Sequence, residues 1–469
     1  MRTLFNVKFN WGIYTLALIF TRMVWYDMSW FSFIAVAIVL HQFLLLFFSV
    51  GSIIPIRYLA GTFMCVQMLL GPVIAYNGAD AFQRPEYQMK LPEFEYFLYA
   101  IPAVCLFILG LHVTAGKLKG EILDRVEIAR FIDQSGNLPY IFITVGFFAS
   151  YLPGSGGGLA FILYLISGFK FIGLFMLLLG TRQLKIWVMV LVFGSILAST
   201  LRGAMFHDLL TWLIMLGAVL AIKFKPSVTV KTVGAISFIL LAIIIQQVKG
   251  DYRQAAYTGV DGGAGFGTFQ KIVENKESDN LLFSSESLAK SNIRINQGYI
   301  LTNIMTTVPN KIPFENGKEL LQILESAFLP RIIAPNKLDA GDRTIFTKYT
   351  GLFLRKGTSM GLGSMGDGYI NFGIVGGCIF MFFLGLAFSE VLNGFFKFSK
   401  YYPFLLLFTP LVFYYPIRPD CELQTSFGHL VKSCMLIYLM ILFWKKDLSK
   451  IMIKKKEPLN ASPVIANAG

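Results

Sequence analysis

Charged side chains are scarce in this sequence. They make up 14% of its 469 residues, whereas soluble globular domains carry about 25%. Apolar residues account for 55% of the chain, and apolar runs recur from one end to the other. This combination excludes a soluble domain held by a single anchor, and it predicts an all-α polytopic membrane protein.

Cysteine, metal-ligand patterns and processing signals are scarce as well. The five cysteines show neither a pairing pattern nor the spacing of a zinc site, so neither a disulfide framework nor a zinc site is expected. The Gly-rich run from Asp261 lacks the Gly-Lys-Ser/Thr ending of a phosphate-binding loop. The first apolar run is not followed by a signal-peptide cleavage site, so we expect it to stay in the protein.

The apolar runs are long enough to predict about twelve transmembrane helices, since crossing the hydrocarbon core takes about 17–25 residues. The predicted spans are residues 11–26, 31–54, 58–76, 96–114, 138–152, 159–179, 186–200, 209–222, 233–248, 369–388, 402–415 and 427–444.

Basic residues occupy every second connection between these spans. The last span is followed by the run KKDLSKIMIKKK, and positive charge marks the cytoplasmic side of a membrane protein. Both termini are therefore predicted to be cytoplasmic. The net charge of +14 is the expected result of basic cytoplasmic loops, so it gives no reason to expect a nucleic-acid partner.

One long polar segment, residues 248–367, lies on the opposite side. It separates nine predicted spans in residues 1–247 from three in residues 368–444, and residues 445–469 form a basic tail. Amphipathic patterns at 293–308 and 317–328 predict two helices. The segment is too small for a catalytic domain with a large core of its own, so we expect it to form a cap on the span ends.

Two candidate residues lie where the seventh predicted span ends, in the run STLRGAMFHD. Arg202 is at the membrane edge, on the side where few basic residues are expected. A charge there indicates a functional site, although an arginine reaching to the interface is the alternative. His207 follows in the same connection beside Asp208, although a histidine in a loop is usually just solvated.

Three further cations lie in the polar segment. Arg294 opens the run IRINQGYILTNIMTTVP, and Arg331 and Lys337 lie in LPRIIAPNKLDAG. Prolines that fix the backbone beside two cations favour anion binding, and guanidinium groups bind phosphate oxygens in a bidentate fork. A rigid, solvent-facing turn explains the same pattern.

The end of the polar segment, GSMGDGYINFG, supplies an acid and an aromatic ring, Asp367 and Tyr369. An acid at the membrane edge is a candidate general base for a sugar hydroxyl, and the alternative is a cap of the following helix. Arg418, between two prolines in the last connection on this side, is another candidate cation.

Taken together, these motifs resemble the O-antigen polymerase and ligase superfamily. SxxRGA at the end of a span is shared with the superfamily, and the later series VPNKIPFENGKELL, LPRIIAPNKLDAG and GDGYINFGIVGG is similar to Wzy-type repeat-unit polymerases. The resemblance covers about residues 186–388. It departs from the family at Asn336 and Leu338, where a Pro-Asp-Lys-Pro run is common, and at Gly368, which separates Asp367 from Tyr369.

The resemblance implies a GT-C-like glycosyltransferase in the bacterial inner membrane, with its active site at the periplasmic face. The donor would be a growing glycan on undecaprenyl pyrophosphate, and the acceptor would be a repeat unit on the same lipid. The reaction would need no nucleotide sugar, no metal and no cofactor. Arg202, Arg294 and Asp367 would be catalytic, and Arg331, Lys337, Tyr369, Arg418 and His207 would bind substrate. A chain-length regulator is a possible partner beside the membrane lipids. A ligase of the same superfamily and a flippase or other carrier of lipid-linked oligosaccharide stay open as alternatives.

Overall fold

A computed structural model describes residues 9–78, 87–115, 125–152, 157–181, 186–204, 206–258, 263–277, 292–293, 295–329, 338, 341–354 and 360–454. These residues are helical with short connections, and none of them forms a strand. The helices are α1 Trp11–Val24, α2 Trp30–Ser49, α3 Ile56–Asn77, α4 Glu93–His112, α5 Arg125–Gln134, α6 Leu138–Tyr151, α7 Gly157–Ser167, α8 Phe169–Leu179, α9 Ile186–Gly203, α10 His207–Phe224, α11 Val228–Thr258, α12 Phe266–Glu277, α13 Gly298–Thr307, α14 Lys318–Phe328, α15 Arg343–Thr350, α16 Gly363–Ser399 and α17 Leu423–Lys454.

Among the described residues, nine helical segments are long and apolar enough to cross a membrane, so the chain is a polytopic membrane protein. One of these segments, Leu159–Leu179, consists of most of α7 followed by α8. Three more of the predicted spans are helices of only 14, 14 and 10 residues, namely Trp11–Val24, Leu138–Tyr151 and Pro403–Val412. Each is shorter than the about 17 residues that a straight crossing requires. The prediction of twelve spans therefore has nine full-length counterparts and three short ones.

The centre of the bundle is the tight crossing of α4 and α16. A Cβ built on Gly110 would lie 2.2 Å from the Phe382 carbonyl oxygen, and one on Gly385 would lie 2.2 Å from that of Phe107. Small residues at matching positions let two helix backbones approach this closely. At one end of this crossing, the buried Arg57 of α3 donates a hydrogen bond to Asn393 Oδ1 at 2.7 Å.

Two helices extend beyond the predicted span limits. Helix α11 continues to Thr258 instead of ending near residue 248, and α16 begins at Gly363 instead of after Asp367. Asp367 therefore lies inside the helix, and Leu362 is its N-cap, so the capping role considered for Asp367 is not the one that the structure shows. We call the end of the bundle where α11 finishes and α16 begins the cap end.

A break in α16 at Gly373 gives the polar segment a place to attach. Gly373 has a φ of 67°, which is outside helical geometry and favours glycine. The carbonyls of Ile370 and Asn371 just before it accept hydrogen bonds from the backbone N–H groups of Glu315 and Asn316, at 3.0 and 3.1 Å. The kink leaves helix carbonyls free, and the polar segment satisfies them.

Helix α13 attaches the polar segment to a second site, on α3. Residues Val66–Leu70 of α3 form a π-helical turn, and the Gln67 carbonyl there accepts a hydrogen bond from the Gln297 N–H at 3.1 Å. A π-turn frees such carbonyls for other partners. Helices α13 and α14 are shorter than the predicted 293–308 and 317–328 but lie within them.

Candidate functional site: a cavity among the helices

A cavity of about 540 Å³ lies among α6, α7, α8, α9, α10 and α17. This volume is within the about 300–1,000 Å³ of typical ligand sites. Apolar and polar residues contribute to its wall in equal number. Its polar or ionisable lining residues are Ser150, Tyr164, Ser167, Lys170, Ser199, Thr200, Asp208, Tyr414 and His429. We call it the bundle cavity.

Lys170 places a cation in the wall of this cavity. It is the second residue of α8, it is only 8% exposed, and its Nζ donates a hydrogen bond to Ser150 Oγ at 3.1 Å. The ammonium also lies 5.3 and 5.6 Å from the ring centres of Phe147 and Phe171. No carboxylate in the described part of the chain is within ion-pair distance of it. An ionisable residue inside a membrane span is costly, and such residues mark functional sites.

Asp208 supplies the acid of the cavity, and it is well partnered. Its carboxylate is 2.7 Å from His207 Nε2 and accepts a short hydrogen bond from the Tyr414 hydroxyl. Arg418 acts on it electrostatically from the connection before α17. Two predicted site residues, His207 and Arg418, thus both act on Asp208, the acid that follows His207 in the sequence.

His429 lines the cavity, and one of its ring nitrogens makes a hydrogen bond to the backbone. Its Nε2 is 2.7 Å from the Leu411 carbonyl oxygen, so Nε2 carries the hydrogen and Nδ1 presents a lone pair. Nδ1 is buried and has no hydrogen-bond partner in the structure. The ring is therefore held by one nitrogen, and the other remains able to accept a hydrogen bond.

Arg202 lies near the cavity but outside its wall. It is exposed in the last turn of α9, and Ser199 and Thr200 one turn earlier line the cavity. The end of α11 fixes the end of α9, because Tyr252 donates to the Leu201 carbonyl at 2.9 Å and Arg253 donates to the Ala204 carbonyl at 3.1 Å. Arg202 and the end of α9 therefore lie at the cap end.

A second polar group, which we call the carboxyl cluster, consists of Glu319, Asp367 and Glu422. It borders a pocket of about 30 Å³, enough for about two water molecules. Glu319 Oε2 accepts a hydrogen bond from Asn371 Nδ2 at 2.8 Å, and Glu422 Oε2 accepts one from the Gly341 N–H at 2.8 Å. The cluster joins α14 of the polar segment to α16 and to the start of α17.

Burial sets the electrostatics of this cluster. It raises the pKa of Glu319 to about 7, against the opposing effect of the hydrogen bond from Asn371. Burial also raises the pKa of Glu422. Nearby Glu315 shows the opposite behaviour, because hydrogen bonds from Lys348 and Tyr349 lower its pKa. Folding therefore favours the protonated form of Glu319 at the buried start of α14.

The predicted site residues thus separate into groups. Asp367 is 3% exposed in the carboxyl cluster, and Tyr369 is buried between the rings of Tyr99 and Phe314. Arg418 donates to Asp420 Oδ2 at 3.1 Å. Arg294, Arg331 and Lys337 lie outside the described residues.

The connection from Phe413 to Glu422 links the two polar groups. Tyr414 and Arg418 in this connection face Asp208, and Glu422 at its end belongs to the carboxyl cluster. The Asp367 carboxylate accepts a hydrogen bond from the N–H of the next residue, Leu423. The two groups are therefore joined by a connection of ten residues.

Lys170 is the main candidate residue that the sequence patterns did not single out. The available signal was a single lysine inside the apolar run 159–179, which is a functional hypothesis by default. No such signal identifies Tyr414, Glu319 or Glu422. Their partners come from other helices, so their roles can be recognised only once the helices are packed.

The fold and its cavity define an all-helical polytopic membrane protein with a partly polar cavity among its spans. The chain belongs to the family described as a domain of unknown function, DUF8712, which matches residues 130–415. No curated protein and no solved structure matches the chain. The matched region contains the first four helices of the cavity wall in full, together with α10 and the polar segment.

Proposed function

We propose that the protein is a Wzy-type polysaccharide polymerase of the bacterial inner membrane. It would transfer a growing glycan from undecaprenyl pyrophosphate to the non-reducing end of a lipid-linked repeat unit, at the periplasmic face. The observation that carries the proposal is the bundle cavity, where a cation and an acid line one space of about 540 Å³ among the spans. The motif series of the sequence supports it.

The reaction explains why cations should surround such a site. A hydroxyl oxygen of the acceptor forms a bond to the anomeric carbon of the donor, the bond from that carbon to the pyrophosphate oxygen breaks, and a base takes the hydroxyl proton. Negative charge develops on the departing pyrophosphate, and fixed cations stabilise it. Arg202 and Arg418 are described cations at the cap end, and Arg294, Arg331 and Lys337 are proposed to join them from the polar segment.

Two carboxylates are candidates for the base. Asp367 is the acid of the family-like motif, but its pocket holds only about two water molecules. An acceptor would reach it only if the polar segment moved. Asp208 lines the larger cavity directly, so it is the second candidate for accepting the proton.

The test is the length distribution of the glycan. We expect Arg202→Ala, and separately Arg294→Ala, to abolish long chains while protein levels stay unchanged, since one such cation is worth about 10²–10³ in rate. Purified protein with lipid-linked repeat units should lengthen them, and the variants should not. Arg343→Ala, at an exposed position of α15, is the matched control. Normal chain lengths in both variants would refute the arginine mechanism.

A carrier of lipid-linked oligosaccharide is the second candidate, and Lys170 is the observation that favours it. Carriers place ionisable residues inside their spans, and Lys170 is buried in one. Liposomes separate the two functions. A polymerase lengthens the lipid-linked glycan without moving it across the bilayer, whereas a carrier moves it without lengthening it.

A further inference from the structure

We propose that Lys170 binds the phosphate of a polyprenyl phosphate or diphosphate whose head group lies in the bundle cavity. The choice of a polyprenyl lipid rests on the proposed function. The anion site itself rests on the contacts of Lys170.

Lys170 has binding capacity that the protein leaves unused. An ammonium group carries three N–H donors, and one of them is directed to Ser150 Oγ. The two ring contacts offset part of the charge, but the described residues provide no carboxylate at ion-pair distance. A buried charge without a counter-ion costs several kcal/mol, and a bound anion would remove that cost.

The acid in the same cavity does not compete for this role. Asp208 already has His207 at 2.7 Å and the Tyr414 hydroxyl as partners, and Arg418 acts on it as well. Among the described residues that line the cavity, Lys170 therefore carries a positive charge without a carboxylate at ion-pair distance.

The walls indicate a lipid head group as the source of the anion. Ala160 and Leu163 on α7 line the cavity, and Leu159 and Ile162 on the same helix are 52% and 43% exposed on the outside of the bundle. Helix α7 is thus apolar both towards the cavity and towards the outside of the bundle. Such a wall fits a lipid whose tail stays in the bilayer while its head group lies in the cavity. In these surroundings a charge-assisted hydrogen bond to phosphate is about twice as strong as a neutral one.

The experiment measures binding and does not require turnover. Wild-type protein, Lys170→Met, Lys170→Arg and the control Lys397→Met are placed in phosphatidylcholine nanodiscs. Lys397 is exposed in the last turn of α16. Each protein is titrated with polyprenyl diphosphate, polyprenyl monophosphate, uncharged polyprenol, phosphatidylglycerol and soluble inorganic pyrophosphate, and bound ligand is counted by native mass spectrometry.

We expect both polyprenyl phosphates to bind the wild type and polyprenol not to bind. Lys170→Met should weaken that binding by about 10- to 100-fold, while Lys170→Arg and Lys397→Met should retain most of it. A melting curve for each variant shows that it is folded. Equal binding of polyprenyl diphosphate to wild type and a folded Lys170→Met protein overturns the proposal. Equal binding of phosphatidylglycerol, or of inorganic pyrophosphate alone, overturns the assignment to a polyprenyl lipid.

The outcomes also separate this inference from the proposed function. If binding of the lipid phosphate depends on Lys170 but the wild type never lengthens a glycan, the polymerase proposal is refuted and the proposed phosphate site at Lys170 is supported. If the wild type lengthens glycans and Lys170→Met binds the lipid normally, the proposed phosphate site at Lys170 is refuted and the polymerase proposal is supported.

Discussion

Protonation of Glu319 should control how firmly the polar segment holds to the bundle. The side chain is 6% exposed, and burial raises its pKa from 4.5 to about 7. Between these two pH values the folded protein keeps a proton that the unfolded chain has released. The contribution of Glu319 to the free energy of unfolding should therefore be highest below about pH 4.5, fall as the pH rises, and level off above about pH 7.

The size of this effect follows from the same pKa. One pKa unit is worth about 1.4 kcal/mol, so ionising Glu319 in the folded protein costs about 3 kcal/mol above pH 7. With an unfolding entropy of about 2.1 cal/mol/K per residue, this lowers the melting temperature of a chain of this length by about 3 °C. Glu315 and Lys348 also act on Glu319, and Asp367 acts on it from α16.

The substitution Glu319→Gln isolates the charge. The amide oxygen of glutamine can still accept the hydrogen bond from Asn371 Nδ2, but it cannot ionise. We expect the purified variant to melt about 3 °C above wild type at pH 8, with a smaller difference at pH 5. Differential scanning fluorimetry in detergent between these pH values measures it.

The control is Glu325→Gln, which changes an exposed carboxyl of the same helix and should reproduce the wild-type pH dependence. A wild-type melting temperature that stays constant from pH 5 to pH 8 would refute the reasoning. So would a Glu319→Gln protein that is less stable than wild type at pH 8.

Two further predictions concern the packing of the spans. Gly385→Ala should destabilise the protein by about 1–3 kcal/mol or more, because its Cβ would lie 2.2 Å from the Phe107 carbonyl oxygen. Gly394→Ala on the same helix should be tolerated, because its Cβ would have no atom within 4 Å. Fluorescence size-exclusion chromatography after heating compares the two variants. Arg57→Lys should cost about 2–3 kcal/mol, since one ammonium cannot replace a guanidinium fork that reaches both Ser389 and Asn393. The exposed Arg343→Lys is its control, and equal melting temperatures for these two variants would contradict the prediction.

Hydropathy alone determined that this chain is a helical, multi-span membrane protein. The long apolar runs leave no other solution, because backbone groups in hydrocarbon must be satisfied within each span. The two amphipathic patterns of the polar segment likewise placed α13 and α14 before any packing was known. Helix limits were less accurate, since α11 and α16 continue into polar sequence where local propensity and packing sustain the helix.

Only the tertiary structure decided which polar residues share a site. Lys170 and His429 are more than 250 residues apart in the chain, yet both line the bundle cavity. Asp208 lay beside a predicted residue, but its partner Tyr414 comes from the other end of the matched region. Asp367 was singled out as an acid at a membrane edge, whereas its burial against Glu319 depends on the kink at Gly373, which opens α16 to the polar segment. Sequence patterns report the neighbours along one helix, and the chemistry of this protein depends on contacts between helices.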